Sequence, residues 1–209
     1  MNSRPIRIVI VDNHPLIREG VIATLGRHPD LQVVAEAGNG RDAIEACRRE
    51  KPDVVLMDLR MPVMDGIAAT RVLTAELPEI RVITLTCYEG GDSIHRALEA
   101  GSRGYLLKDM VRKEVVNAVR AVHEGRRYIP SEIGERLAEN TGTDDLTPRE
   151  RDVLELLANG HSNQEISDRL KIAHQTVKNH VKGILRKLGA NDRTHAVALA
   201  VKRGYVFLD

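Results

Sequence analysis

The chain has no tryptophan, one phenylalanine and four tyrosines among its 209 residues. A core here cannot rest on stacked rings; it must be packed from aliphatic side chains and alanine. Cysteine is scarce as well. Cys47 and Cys87 stand far apart, show no metal-ligand spacing and are too few for a disulfide framework, which points to a reducing, cytoplasmic setting. No apolar run reaches the roughly 18 residues of a membrane span, and the N-terminus has no secretory h-region. Internal repeats and low-complexity tracts are missing too. A large excess of one charge is absent from the whole, whose formal net charge is +1. The parts differ. Residues 1–145 hold 20 Lys+Arg against 23 Asp+Glu, a net of −3, while residues 146–209 hold 11 against 7, a net of +4. Two domains are expected, the second suited to a polyanion.

What is present is organised around residues 54–66, VVLMDLRMPVMDG. The apolar run Val54–Met57 leads straight into Asp58 and reads as a strand buried on both faces. Asp58 then lies at the strand's carboxyl end, where open α/β sheets bind their ligands. An Asp in that place can also do no more than cap a loop, so its neighbours decide.

Further strands are predicted at 6–11, 31–37, 81–85 and 104–107, with Pro52 opening the central one. Helices are predicted at 15–25, 40–50, 66–76, 93–100 and 112–124. Pro15 opens the first helix. Ala43, Ile44 and Cys47 line the second, with Cys47 as a small core residue. Five strands alternating with five helices predict a doubly wound parallel sheet. The carboxyl ends of such strands share one rim. They deliver Asp12 and Asn13, Asp58, Thr86 and Lys108 there. These groups suit phosphoryl transfer: a carboxylate nucleophile, hard oxygen ligands for Mg²⁺, and a cation and a hydroxyl for the transferred group.

The motifs VDNHP at 11–15, MDLRMPVMDG at 57–66, LTCY at 85–88 and GYLLK at 104–108 occur in that order. Together they resemble the receiver domain of bacterial two-component response regulators. The resemblance implies a flavodoxin-like (βα)5 fold with strand order 2-1-3-4-5. It implies Asp58 as phosphoacceptor and Mg²⁺ held by Asp12, Asn13, Asp58 and the backbone carbonyl of Arg60. Thr86 and Lys108 would contact the phosphoryl group, and Tyr105 would turn inward with that hydroxyl. A sensor histidine kinase is the implied partner. Two positions depart from the pattern: Asn13 stands where a second acid is usual, and Cys87 where Ala is usual.

Past residue 124, Gly125, Pro130, Gly134, Gly142 and the TGTDD run at 141–145 predict a linker over 125–143. Ile133, Leu137 and Ala138 suggest a short helix within it. Two capping boxes follow, Thr147 with Glu150 and Ser162 with Glu165, each opening a helix. A third helix carries Val177, Val181, Ile184, Leu185 and Leu188 on one stripe. Gln175, Lys178, Asn179, Lys182 and Arg186 fall on the opposite arc. Short helix, turn and basic helix fit a helix-turn-helix.

Residues 146–200 include LTPRERDVLELLANGHSNQEISDRL and QTVKNHVKGILRKLGANDRTHAVALA. They resemble the LuxR/FixJ/NarL-type DNA-binding domain. That resemblance implies a small all-α domain over 144–209 behind a receiver over 5–124. Lys178, Asn179 and Lys182 would enter the major groove of double-stranded DNA. Gln175, Thr176, Asn163 and Lys187 would hold phosphates. A helix over 194–203 would join a homodimer on inverted half-sites through Ala196, Val197, Leu199 and Ala200. Ala173 and His174 leave the third helix without a side-chain cap, and Gly183 in mid-helix costs about 1 kcal/mol against Ala.

The expected function is a response regulator whose phosphorylation controls DNA binding and transcription, with no membrane role and no turnover beyond slow loss of its own phosphate. Two rivals remain. One is a constitutive DNA binder with a degenerate receiver, which rests on Asn13. The other is an aspartyl phosphatase, against which Arg60 stands where such enzymes place a second Asp.

Overall fold

The computed structural model describes residues 4–87, 91–140, 146–203, 205 and 206. The chain divides into two compact units, the first holding most residues up to Glu135 and the second those from Arg136 on.

The first unit is built on five strands: β1 (Ile6–Val11), β2 (Leu31–Ala37), β3 (Val54–Asp58), β4 (Arg81–Thr86) and β5 (Gly104–Leu107). All neighbours run parallel, in the order β2-β1-β3-β4-β5. The connecting helices are α1 (Pro15–Leu25), α2 (Gly40–Glu50), α3 (Gly66–Glu76), α4 (Gly91–Glu99) and α5 (Val111–His123). The expected fold is therefore the observed one.

Its core explains the unbroken apolar runs of the sequence. Successive strand residues point to opposite faces. Ile8, Ile10, Val54 and Leu56 pack with Val21, Leu25, Val115 and Val119 of α1 and α5. Val9, Val11, Val55 and Met57 pack with Ala43, Cys47, Ala69 and Leu73 of α2 and α3. Because both faces are covered, Ile8–Val11 and Val54–Met57 are apolar at both parities. Cys47 is one of these core residues, and burial pushes its thiol up to about 12.

The stretch expected to be linker begins attached to the sheet. Tyr105 N–H donates to the Tyr128 carbonyl at 3.0 Å, and Tyr128 N–H to the Arg103 carbonyl at 3.0 Å. This pairing covers the open edge of β5. The Tyr128 hydroxyl donates to Glu114 on α5. Helix α6 (Ser131–Asn140) follows, with Ile133 fully buried. Leu137 and Ala138 lie in that helix, but their side chains are outside the described residues.

The second unit holds α7 (Pro148–Ala158), α8 (Asn163–Leu170), α9 (His174–Leu188) and α10 (Arg193–Lys202). Both expected capping boxes are formed. The start of α9 has no side-chain cap, as Ala173 and His174 foretold. Val153, Leu154, Leu157, Ile166, Val177, Ile184 and Leu188 make one aliphatic core.

Candidate functional site

Asp58 is the last residue of β3, and its place depends on the loop behind it. That loop doubles back so tightly that Gly66 N–H donates to the Leu59 carbonyl at 3.0 Å. A Cβ at Gly66 would sit 1.9 Å from the Asp58 carbonyl oxygen. Only glycine fits. Asp65 then starts α3 by accepting from Ala68 N–H at 2.7 Å. Val63 at the loop tip has φ of 69° and is 73% exposed, a left-handed conformation unusual for a β-branched residue.

Around Asp58 the strand ends converge as expected. Lys108, just past β5, puts Nζ 2.7 Å from Asp58 Oδ2 and 2.7 Å from Asp12 Oδ2. Asp12 has no exposed surface and Asp58 is 2% exposed. The Asp12–Lys108 contact lacks hydrogen-bond geometry, so it is an ion pair and that oxygen keeps spare accepting capacity. Arg60 N–H donates to Asp58 Oδ1 at 3.3 Å. Thr86 and Tyr105 are fully buried.

Charge here follows burial. Burial raises the Asp58 carboxyl above its ordinary range, the nearby Asp12 charge adds to this, and Lys108 opposes it. For Lys108, burial acts downward, but the two carboxylates outweigh it and the ammonium is held above its usual value. Burial, with a contribution from the Asp58 charge, raises the Tyr105 hydroxyl far above its normal range.

Asn13, expected beside Asp12, is exposed instead. The ring next along the chain turns in: His14 Nδ1 lies 3.0 Å from Asp12 Oδ1. Ligand atoms of Asp12, His14 and Asp58 all lie within 4.8 Å of one another. The buried acidic pair fits a hard divalent cation. Sequence reasoning missed His14, although the D-x-H spacing was visible.

In the second unit α9 turns Gln175, Lys178, Asn179 and Lys182 outward, all exposed. Gln175 Nε2 donates to Asn179 Oδ1 at 3.3 Å. Thr176, on α9, and Asn163, the first residue of α8, are half-buried. Two expectations need correction. Lys187 is not on the open face: its Nζ donates to Glu150 Oε2 at 2.8 Å and its side chain is 12% exposed. Ala196 and Ala200 are 1% and 0% exposed within the unit's own core, so no second chain can reach them. Ala196 and Ala200, four residues apart, share one helix face, and that face is the one turned into the core. Val197 and Leu199 stay half-buried.

Comparison with known proteins decides the family. Residues 8–120 match the family described as "Response regulator receiver domain", and residues 144–200 match "Bacterial regulatory proteins, luxR family". The chain is a two-component response regulator. It joins a receiver to a LuxR-type DNA-binding domain and belongs with transcriptional regulators rather than enzymes. This response regulator is 38% identical over 229 residues to the transcriptional regulatory protein DegU of Brevibacillus brevis, covering 99% of this chain and 97% of DegU. It is 39% identical to LnrK of Bacillus subtilis (strain 168), covering 95% and 98%. Among solved structures, the response regulator ChrA of a heme-sensing two-component system is 36% identical, with a TM-score of 0.59 over 97% of this chain and 100% of ChrA. Two RcsB dimers bound to DNA share the fold, at 23% identity and a TM-score of 0.69 over 95% and 99%. Among the described residues no helix of this response regulator is long and apolar enough to cross a membrane.

Proposed function

We propose that a sensor histidine kinase phosphorylates Asp58 and that this controls sequence-specific DNA binding by the second domain. The observation that carries the reading is the carboxylate of Asp58 at the end of β3, beside a buried Asp12 and 2.7 Å from the Lys108 ammonium. Transfer breaks the P–N bond of a phosphohistidine and forms a P–O bond to an Asp58 oxygen; the imidazole leaves. Asp12, Asp58, the Arg60 carbonyl and, after a turn inward, Asn13 are the groups to hold Mg²⁺. The ion would neutralise phosphoryl oxygens during transfer. Lys108 exchanges its carboxylate partner for a phosphoryl oxygen, and Thr86 donates to another. Tyr105 is buried already, so phosphorylation favours an inward arrangement that the fold accommodates.

The proposed receiver spans 5–124, the linker 125–143 and the DNA-binding domain 144–209. In the last, Lys178, Asn179 and Lys182 suit the major groove: ammonium donors match guanine O6 and N7, and Asn179 also matches adenine. Gln175, Thr176 and Asn163 hold phosphates. Lys187 is withdrawn from that set because Glu150 engages it. A homodimer on inverted half-sites would use Val197 and Leu199 of α10.

One observation favours a second reading. Asn13 is exposed and replaces an acid, so the cation site has one charge fewer; the chain would then bind DNA constitutively. A phosphatase reading has no such support, since Arg60 offers no acid. The test is DNA affinity of the full chain with and without acetyl phosphate and Mg²⁺, alongside labelling by a radioactive acyl phosphate. Labelling lost in Asp58→Asn and tighter binding after treatment of the wild type are expected. Unchanged affinity in a fully labelled protein would establish the constitutive reading.

A further inference from the structure

His14 stands at the entry to α1 and presents no side-chain cap to that helix. Its ring is turned back toward Asp12 instead. Both its backbone N–H, at 2.8 Å, and its Nδ1, at 3.0 Å, address the same atom, Asp12 Oδ1. The carboxylates are thus divided between two neighbours. The Oδ2 atoms of Asp12 and Asp58 face Lys108, each at 2.7 Å from Nζ, while Asp12 Oδ1 faces the imidazole. One ligand atom from each of Asp12, His14 and Asp58 falls inside a 4.8 Å cluster. Asn13 does not join them: it is exposed, and among the described residues no hydrogen bond ties its side chain to either acid.

The spacing has a meaning. Two ligands in adjacent positions of an octahedral ion, with bonds of about 2.1 Å, lie about 3.0 Å apart. The Nδ1 to Oδ1 separation is 3.0 Å. An ion held by both atoms would lie off the line between them, so the exposed ring has to turn from its hydrogen bond to aim the Nδ1 lone pair at the ion. A neutral imidazole gives a borderline nitrogen donor where an acid would give hard oxygen. Such a donor suits first-row transition ions better than Mg²⁺.

We propose that His14 is a third side-chain ligand of the divalent cation at this site and turns its preference from Mg²⁺ toward nitrogen-accepting ions such as Mn²⁺ and Co²⁺. The proposal rests on the reading that Asp12 and Asp58 hold the cation. Imidazole supplies a neutral nitrogen donor where the substitution at Asn13 removes an anionic oxygen, so it replaces a ligand but not the charge. The ring is 61% exposed on its side chain, so it can move onto an incoming ion at little packing cost.

Mn²⁺ bound to the full chain gives the test by electron spin-echo spectroscopy. Directly coordinated ¹⁴N modulation is expected, altered in protein grown with ¹⁵N-histidine and lost in His14→Ala. In competition binding, His14→Ala should lower the preference for Mn²⁺ over Mg²⁺ by about tenfold. His14→Gln should behave like the alanine variant in the spectrum while keeping a polar side chain, with circular dichroism confirming the fold of both. Mn²⁺ bound without coordinated nitrogen, or with selectivity equal in wild type and both variants, would overturn the role of His14 and leave the acidic pair in place. If neither ion binds, or Asp12→Asn leaves binding unaltered, the acidic pair itself is misread and the His14 inference falls with it.

Discussion

Burial works against the charge on Asp58, and the consequence is measurable. The carboxyl is held above the ordinary value of 3.8 because desolvation outweighs the help from Lys108. A folded-state value above the unfolded one means the folded chain binds the proton more tightly. The stability this group contributes is complete below pH 3.8 and is lost as pH rises through the folded value. At neutral pH the ionised Asp58 is therefore a cost to the fold. Asp58→Asn should raise the melting temperature at pH 7 by about a few degrees. The gap over wild type should narrow steadily toward pH 4. An asparagine variant less stable than wild type at pH 7 would show that the Lys108 ion pair outweighs desolvation after all. Phosphorylation places more charge at the same buried spot. It requires the same compensation from Lys108 and a cation.

At the scale of single elements, α9 shows why local rules mislead. Propensity alone says Gly183→Ala should stabilise the helix by about 1 kcal/mol. The structure gives glycine a reason. A Cβ there would meet Glu150 Oε1 at 2.6 Å. Glu150 cannot simply swing away. It accepts from Thr147 N–H at 2.8 Å and from Lys187 Nζ at 2.8 Å, joining the cap of α7 to the last turns of α9. Burial acts upward on its carboxyl, yet these donors hold it below the ordinary range. Gly183→Ala should therefore destabilise the domain by roughly 1–2 kcal/mol in urea unfolding. In a Glu150→Ala background the same change should be neutral or favourable, and equal effects in both backgrounds would remove the steric explanation. The sequence carried every element of the sheet and both capping boxes, because apolar parity and cap residues are local signals. It also carried the rim of Asp12, Asp58 and Lys108, which follows from strand ends alone. It did not carry the Glu150–Lys187 pair, whose partners lie 37 positions apart. Nor did it distinguish Ala196 and Ala200 as core, since an alanine stripe reads the same toward a core or a partner. His14 escaped because the direction of a loop side chain has no period.

For the whole molecule the governing quantity is charge in two parts. A net of +4 over residues 146–209 is small for a DNA-binding module, so one copy neutralises few phosphates. Affinity then depends on how many copies bind together, and salt counts them. Each phosphate neutralised adds about −0.9 to the slope of log K against log salt. If phosphorylation at Asp58 acts by bringing two chains to one site, treatment with an acyl phosphate should tighten binding and also steepen the slope, to about twice that of Asp58→Asn on a single half-site. Lys182→Ala, at a base-contacting position, should weaken binding by about 1–3 kcal/mol and relax the sequence preference while leaving the ratio of the two slopes near two. Tighter binding with an unchanged slope would mean that phosphorylation frees a single module and recruits no second one. The half-buried Val197 and Leu199 would then have no interface to form. Affinity at one salt concentration cannot separate these outcomes; the slope can, because it reports the number of contacts and not their strength.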